Sequence, residues 1–151
     1  MTNSDAHPLI GITVGDPAGI GPEIVAKALA KNSTEISIRP VVYSDRSVLE
    51  QTLSMLDMDL ELNLLTHPSE GRFVEGCLNF IDCKVIDKPV DFGKVSASGG
   101  QAGFTYLDRA IDDALSGAVT GLATAPLNKK SLQAARLSFI DHTAVLKFRA
   151  A

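Results

Sequence analysis

The chain has little of what small extracellular or metal-held folds rely on. Its 151 residues include two cysteines and three histidines. Cys77 and Cys83 lie six positions apart, with no further cysteine to complete a zinc-type spacing. They read as free thiols of a reducing compartment, with Cys83 inside a strand. His7 and His67 stand in polar stretches without a partner pattern and read as solvated side chains. A basic excess is also missing. Fourteen Lys and Arg oppose 18 Asp and Glu, for a formal net charge of -4. That balance gives no support to general nucleic-acid binding, which uses a basic face. No apolar run approaches a membrane span, so no membrane partner is expected. Residues 1–8 are polar and lack the charged-then-apolar order of a signal peptide. They read as a flexible tail, and the cytoplasm is the expected location. Neither standard nucleotide fingerprint, G-x-G-x-x-G or G-x-x-x-x-G-K-[ST], is met.

What is present suits one soluble α/β unit. Hydrophobic residues make up 45% and charged residues 21% of the chain, enough for a real core. Leu9-Ile10-Gly11-Ile12-Thr13-Val14 reads as a buried strand, and 24–31 as the body of a helix. A turn at 31–34 leads to a second strand over 36–43. Pro40 inside it implies an edge position or a late start. Ser44-Asp45 offers a cap for a helix over 46–56, with Val48, Leu49, Leu53 and Leu56 on one face. Residues 60–64 alternate as a half-buried strand, 67–71 form a loop, and 78–85 form another strand. The stretch 87–100 is rich in Gly, Ser, Pro and Asp and reads as a long connection, the one candidate sub-domain crossover. A helix over 101–115 and a short buried strand over 119–123 follow. A β-α-β-α order of this kind favours parallel strands joined by crossover helices.

Three stretches carry chemistry. The first is Gly15-Asp16-Pro17-Ala18-Gly19-Ile20-Gly21-Pro22-Glu23, a strand-to-helix turn. Its glycines imply backbone N–H groups free to face an anion at a helix N-terminus, with Pro22 and Glu23 suited to the first helical turn. Asp16, Gly19, Gly21 and Glu23 are therefore cleft candidates at the carboxyl edge of a sheet. The second is Thr124-Ala125-Pro126-Leu127-Asn128-Lys129-Lys130, again a strand, a polar turn and a helix start. Thr124 and Asn128 offer hydrogen bonds and Lys129 a cation, tools for a phosphate or carboxylate; on chemistry alone a capped helix with solvated lysines is the favoured reading. The third is Asp141-His142-Thr143. It reads either as an imidazole and hydroxyl presented to an anion or as a helix cap supplied by Thr143 or Asp141.

Taken together and in this order, the three stretches resemble the N-terminal portion of the 4-hydroxythreonine-4-phosphate dehydrogenase family, whose fold is isocitrate/isopropylmalate dehydrogenase-like. The resemblance covers most of 9–146 and is strongest at the three motifs. It implies an incomplete α/β fold, the N-terminal part of a two-domain enzyme. It implies that His142, Thr143, Lys129 and Thr124 bind a small phosphorylated hydroxy acid. The implied reaction is NAD- or NADP-dependent oxidation and decarboxylation of 4-phosphohydroxy-L-threonine, in pyridoxal phosphate biosynthesis. Related members act on 4-phosphorylated threonate or erythronate. The resemblance also implies a divalent metal, whose family ligands match no residue of this chain, and a homodimer. Family members usually flank the His-Thr pair with Gly and Glu, where this chain has Asp141 and Ala144. A non-catalytic phosphate-ligand binding module, or a subunit completed by another chain, is the alternative.

Overall fold

A computed structural model describes residues 7–31 and 37–151. Five parallel strands form one sheet in the order β3-β4-β2-β1-β5. The strands are β1 (Leu9–Thr13), β2 (Arg39–Ser44), β3 (Glu61–Leu65), β4 (Cys77–Asp82) and β5 (Gly121–Thr124). The helices are α1 (Gly21–Ala30), α2 (Arg46–Met55), α3 (Ala97–Leu115), α4 (Lys129–Ala134) and α5 (His142–Ala150). None of the described helices is long and apolar enough to cross a membrane. The expected α/β class with a parallel sheet is the one observed.

The direction of the connections places the helices. The β1-α1-β2 unit steps from β1 toward β2, whereas α3 carries the chain from β4 back past β2 and β1 to β5. Right-handed crossovers put helices of opposite travel on opposite faces. The packing agrees: α1 lies with α2, while α3 lies on β1, β2 and β5 and meets α4 and α5. Between the sheet and α3, Tyr43 and Tyr106 are fully buried, while Phe80 is buried on the other face beneath Arg46 of α2.

Several expectations shift at element ends. β2 is an interior strand, so Pro40 does not mark an edge. It marks a late start, because pairing with β4 begins only at Val42. β4 stops at Asp82, and Cys83 lies just past its end, because Lys84 turns to φ 54. α3 begins at Ala97 rather than Gln101, since the Ser96 side chain accepts from the Gly99 N–H at 2.9 Å and caps the helix. The 87–96 stretch thus leads from β4 into α3, which carries the chain to β5 of the same sheet. β5 covers 121–124 and is not buried: it is an edge strand whose last two residues are exposed. In β3, Leu62 is half-buried but Leu64 is 47% exposed on the opposite edge.

Asp45 occupies the N-cap position of α2 without capping it. Its carboxylate turns to the N–H groups of Val85 (2.7 Å) and Ile86 (2.9 Å) and to the Tyr106 hydroxyl. Asp82, arriving from β4, accepts instead from the Arg46 N–H at 3.2 Å. Of the expected tail, residues 1–6 lie outside the described residues. His7 and Pro8 are tied down, their carbonyls accepting from the Arg39 side chain and backbone N–H. The turn residues 32–34 and Ile36 also lie outside the described residues. His67 is exposed as expected, and its ring caps a short turn over Pro68–Glu70.

Candidate active site

The helix leaving β1 lies on one face and the helix leaving β5, α4, lies with α3 on the other. The carboxyl ends of β1 and β5 therefore form the point where connections diverge, the crevice that α/β sheets use for ligands. The first two sequence motifs are the turns on either side of it.

These two turns are zipped together. The Ala125 N–H donates to the Thr13 carbonyl at 2.9 Å, and the Asp16 N–H donates to the Pro126 carbonyl at 3.1 Å. Gly15 adopts φ 72, and a Cβ there would lie 2.1 Å from the Pro126 oxygen. Only glycine allows this approach. Gly21 is likewise pressed against β1, with its missing Cβ 1.8 Å from the Val14 oxygen.

Two donors of the first turn are taken up within the turn itself. The Ala18 N–H donates to the Asp16 carboxylate at 2.9 Å, and the Gly19 N–H donates to the Asp16 carbonyl at 2.9 Å. Asp16 is itself the anion the turn holds, and it is only 2% exposed. Its carboxylate lies against the first turn of α3, where a Cβ on Gly99 would be 2.8 Å from Oδ1. The positive end of that helix favours the charge. Asp16 Oδ2 and Thr13 Oγ1 are buried without a hydrogen-bond partner among the described residues. Glu23 is engaged by Lys27, one turn along α1, at 2.6 Å.

The second turn presents its groups outward. Thr124 and Lys129 are exposed. Asn128 is half-buried and caps α4, its oxygen accepting from the N–H groups of Lys130 (2.9 Å) and Ser131 (3.2 Å). The third motif joins this turn through one bond. His142 Nε2 lies 3.0 Å from the Ala125 carbonyl oxygen. A carbonyl only accepts, so Nε2 carries a proton and Nδ1 is the ring nitrogen left for a ligand. Thr143 is exposed beside it, on the first turn of α5. Asp141 caps that helix, accepting from the Ala144 N–H at 2.9 Å, so its carboxylate is committed to backbone.

Thr124, Asn128, Lys129, His142 and Thr143 are thus gathered around the end of β5, with Asp16 behind them through Pro126. Gly21 and Glu23 serve the α1 junction, and Gly19 is exposed on the turn. What the motifs did not reveal is the role of the α3 start. Gly99 receives the Asp16 carboxylate, Gly103 comes within 3.2 Å of the Gly15 backbone, and Gly100 faces the Ser131 oxygen at 2.0 Å, each distance taken from a Cβ position. Ser96 in a Ser-x-x-Gly context was the available signal, as an N-cap. A cleft of about 450 Å³ also opens here, walled by Pro17 and Ala18, the segment 85–91, and the approach to α3. In a separate cleft beside Thr105 and Arg109 of α3, burial and the nearby Asp45 carboxylate push the Cys83 thiol up to about 12. Among the described residues, no three His, Cys, Asp or Glu side chains converge to hold a metal.

Comparison with known proteins matches this geometry to a family. The model for the pyridoxal phosphate biosynthetic protein PdxA matches residues 37–151. A Symbiobacterium thermophilum protein, provisionally named a D-threonate 4-phosphate dehydrogenase, is 44% identical over 142 residues, 93% of this chain and 42% of that protein. The D-threonate 4-phosphate dehydrogenase of Cupriavidus necator is 39% identical over 96% of this chain and 44% of its own length. A solved 4-hydroxythreonine-4-phosphate dehydrogenase from Burkholderia phymatum superposes with a TM-score of 0.89 at 36% identity, covering 95% of this chain and 43% of that one. The chain therefore spans less than half the length of these relatives. By sequence and by fold, the chain belongs to the PdxA family of pyridoxal phosphate biosynthetic proteins.

Proposed function

We propose that this chain forms the phosphate-binding wall of a dehydrogenase acting on a small 4-phosphorylated hydroxy acid. The observation that carries the reading is the bond from His142 to the Ala125 carbonyl. It brings the start of α5 to the turn that bears Thr124 and Lys129. Lys129 supplies the cation, Thr124 and Thr143 supply hydroxyls, and His142 addresses the ligand through Nδ1. Asp141 turns Oδ1 to the Ala144 N–H at the start of α5, where the helix dipole favours its charge.

The names of the curated relatives favour D-threonate 4-phosphate as the substrate. The family model and the solved relative favour a second reading, 4-hydroxythreonine-4-phosphate on the route to pyridoxal phosphate. Both carry the phosphate that this wall addresses. Oxidation of either needs NAD or NADP as hydride acceptor and, in the family chemistry, a divalent metal. The described residues do not assemble a metal-ligand set, so the role assigned to this chain is substrate binding. We place residues 9–151 as the N-terminal α/β portion of a cytoplasmic, homodimeric enzyme whose remaining length completes the site. A binding module without catalysis is the competing class.

Titrating the purified chain with each phosphorylated acid, with and without NAD and a divalent metal, separates these readings. Saturable binding that is lost in His142→Ala is the expected result. Turnover by the chain alone would assign it a complete active site, and absence of binding would remove the proposal.

A further inference from the structure

The segment 87–95 forms one wall of the cleft beside the first turn, and its attachment is uneven. Its two ends are fixed. On one side the Asp45 carboxylate holds the N–H groups of Val85 and Ile86. On the other, Ser96 caps α3. Between them the ties to the body are few. The Gln51 side chain, on α2, donates to the Val90 carbonyl at 2.7 Å and accepts from the Val90 N–H at 2.8 Å. The Gly93 N–H donates to the Ala18 carbonyl at 2.7 Å. The Lys94 and Asp91 pair lies within the segment and anchors nothing. Phe92 and Val95 are 38% and 48% exposed, so apolar burial adds little there. Segments with few buried contacts open at low cost while their surroundings stay folded.

We propose that 87–95 is a latch over the cleft and that Gln51 is its pin. One amide satisfies both backbone groups of Val90, as a paired strand would, and so holds the middle of the segment closed. Released at Val90 and at the Gly93–Ala18 bond, the segment swings on its fixed ends and uncovers the buried Pro17–Ala18 wall. The inference rests on this bonding pattern and not on the proposed activity.

Limited trypsin digestion and amide hydrogen exchange of the full chain test it. Lys94 is the cleavable site in the segment, since Lys88 precedes a proline. Gln51→Leu removes both bonds, and cleavage after Lys94 and exchange at the Val90 N–H should accelerate about tenfold. The amides of Thr52 and Leu53 on α2 should keep their protection. Gln51→Glu keeps the acceptor and loses the donor, so it should fall between the two and covers the case of a poorly folding leucine variant. Unchanged cleavage and exchange would overturn the proposal. Equal acceleration at Thr52 and Leu53 would overturn it too, by showing that Gln51 acts through the helix.

Discussion

At the scale of single residues, the crevice is built by side chains that are missing. Gly15 and Gly100 sit where a Cβ would meet backbone oxygen at 2.1 Å and 2.0 Å. Backbone cannot rotate out of the way as a side chain can, so the clash is relieved only by moving a turn. Gly15→Ala adds the strain of φ 72. It should lower the unfolding free energy by about 2 kcal/mol or more, measured by urea titration. Gly121→Ala is the matched control. The nearest atom to its Cβ position is at 3.5 Å, an ordinary contact, and that variant should unfold near the parent midpoint.

At the scale of elements, short helices are held by their caps. α5 has nine residues and depends on the Asp141 carboxylate at its start. Asp141→Ala should cost about 1 kcal/mol, and Asp141→Asn should recover most of it, by denaturant unfolding or α5 amide exchange. If both variants behave alike, the cap is not what holds the helix. Much of this level was legible beforehand. The Pro22 and Glu23 helix start, the Asn128 turn and the α2 face all follow from local rules. What could not be read is where a polar side chain finds its partner across the sheet. Asp45 stands where a cap should, yet two N–H groups and a tyrosine hydroxyl from distant segments outbid the local one. The glycine turn likewise closes on its own Asp16, because α3 brings a helix N-terminus against that carboxylate. The burial of β5 was misjudged for a related reason. An apolar four-residue strand looks the same at the edge of a sheet as in its middle.

At the scale of the whole molecule, α3 is bound to the sheet by buried tyrosine and carboxylate pairs, and these set its alkaline limit. The Tyr43 hydroxyl donates to Asp113 at 2.8 Å, and the Tyr106 hydroxyl donates to Asp45. Burial, then the partner carboxylate, raises both tyrosines above their ordinary range. Cys83 rises from 9.0 to about 12, mainly through burial. All three groups are neutral when protonated, and the folded state holds those protons more tightly than the unfolded chain. Their contribution is complete below the unfolded values and is lost as pH rises above them. Stability should therefore be flat in this respect to about pH 9 and then fall, by at most about 1.4 kcal/mol per pH unit for each group. Urea midpoints between pH 7 and 11 check this, and Tyr106→Phe should soften the alkaline slope. A slope that begins near neutrality would place its origin elsewhere.

The central claim is that the ends of β1 and β5, joined by the start of α5, make a wall for a phosphorylated acid. The most direct measurement is an amide NMR titration of the chain with D-threonate 4-phosphate, beside its His142→Ala variant. The claim predicts saturable shifts at Thr124, Leu127, Lys129, Thr143 and Ala144, with those shifts lost in the variant. Shifts confined to other parts of the sheet, or shifts that survive the loss of His142, would contradict it.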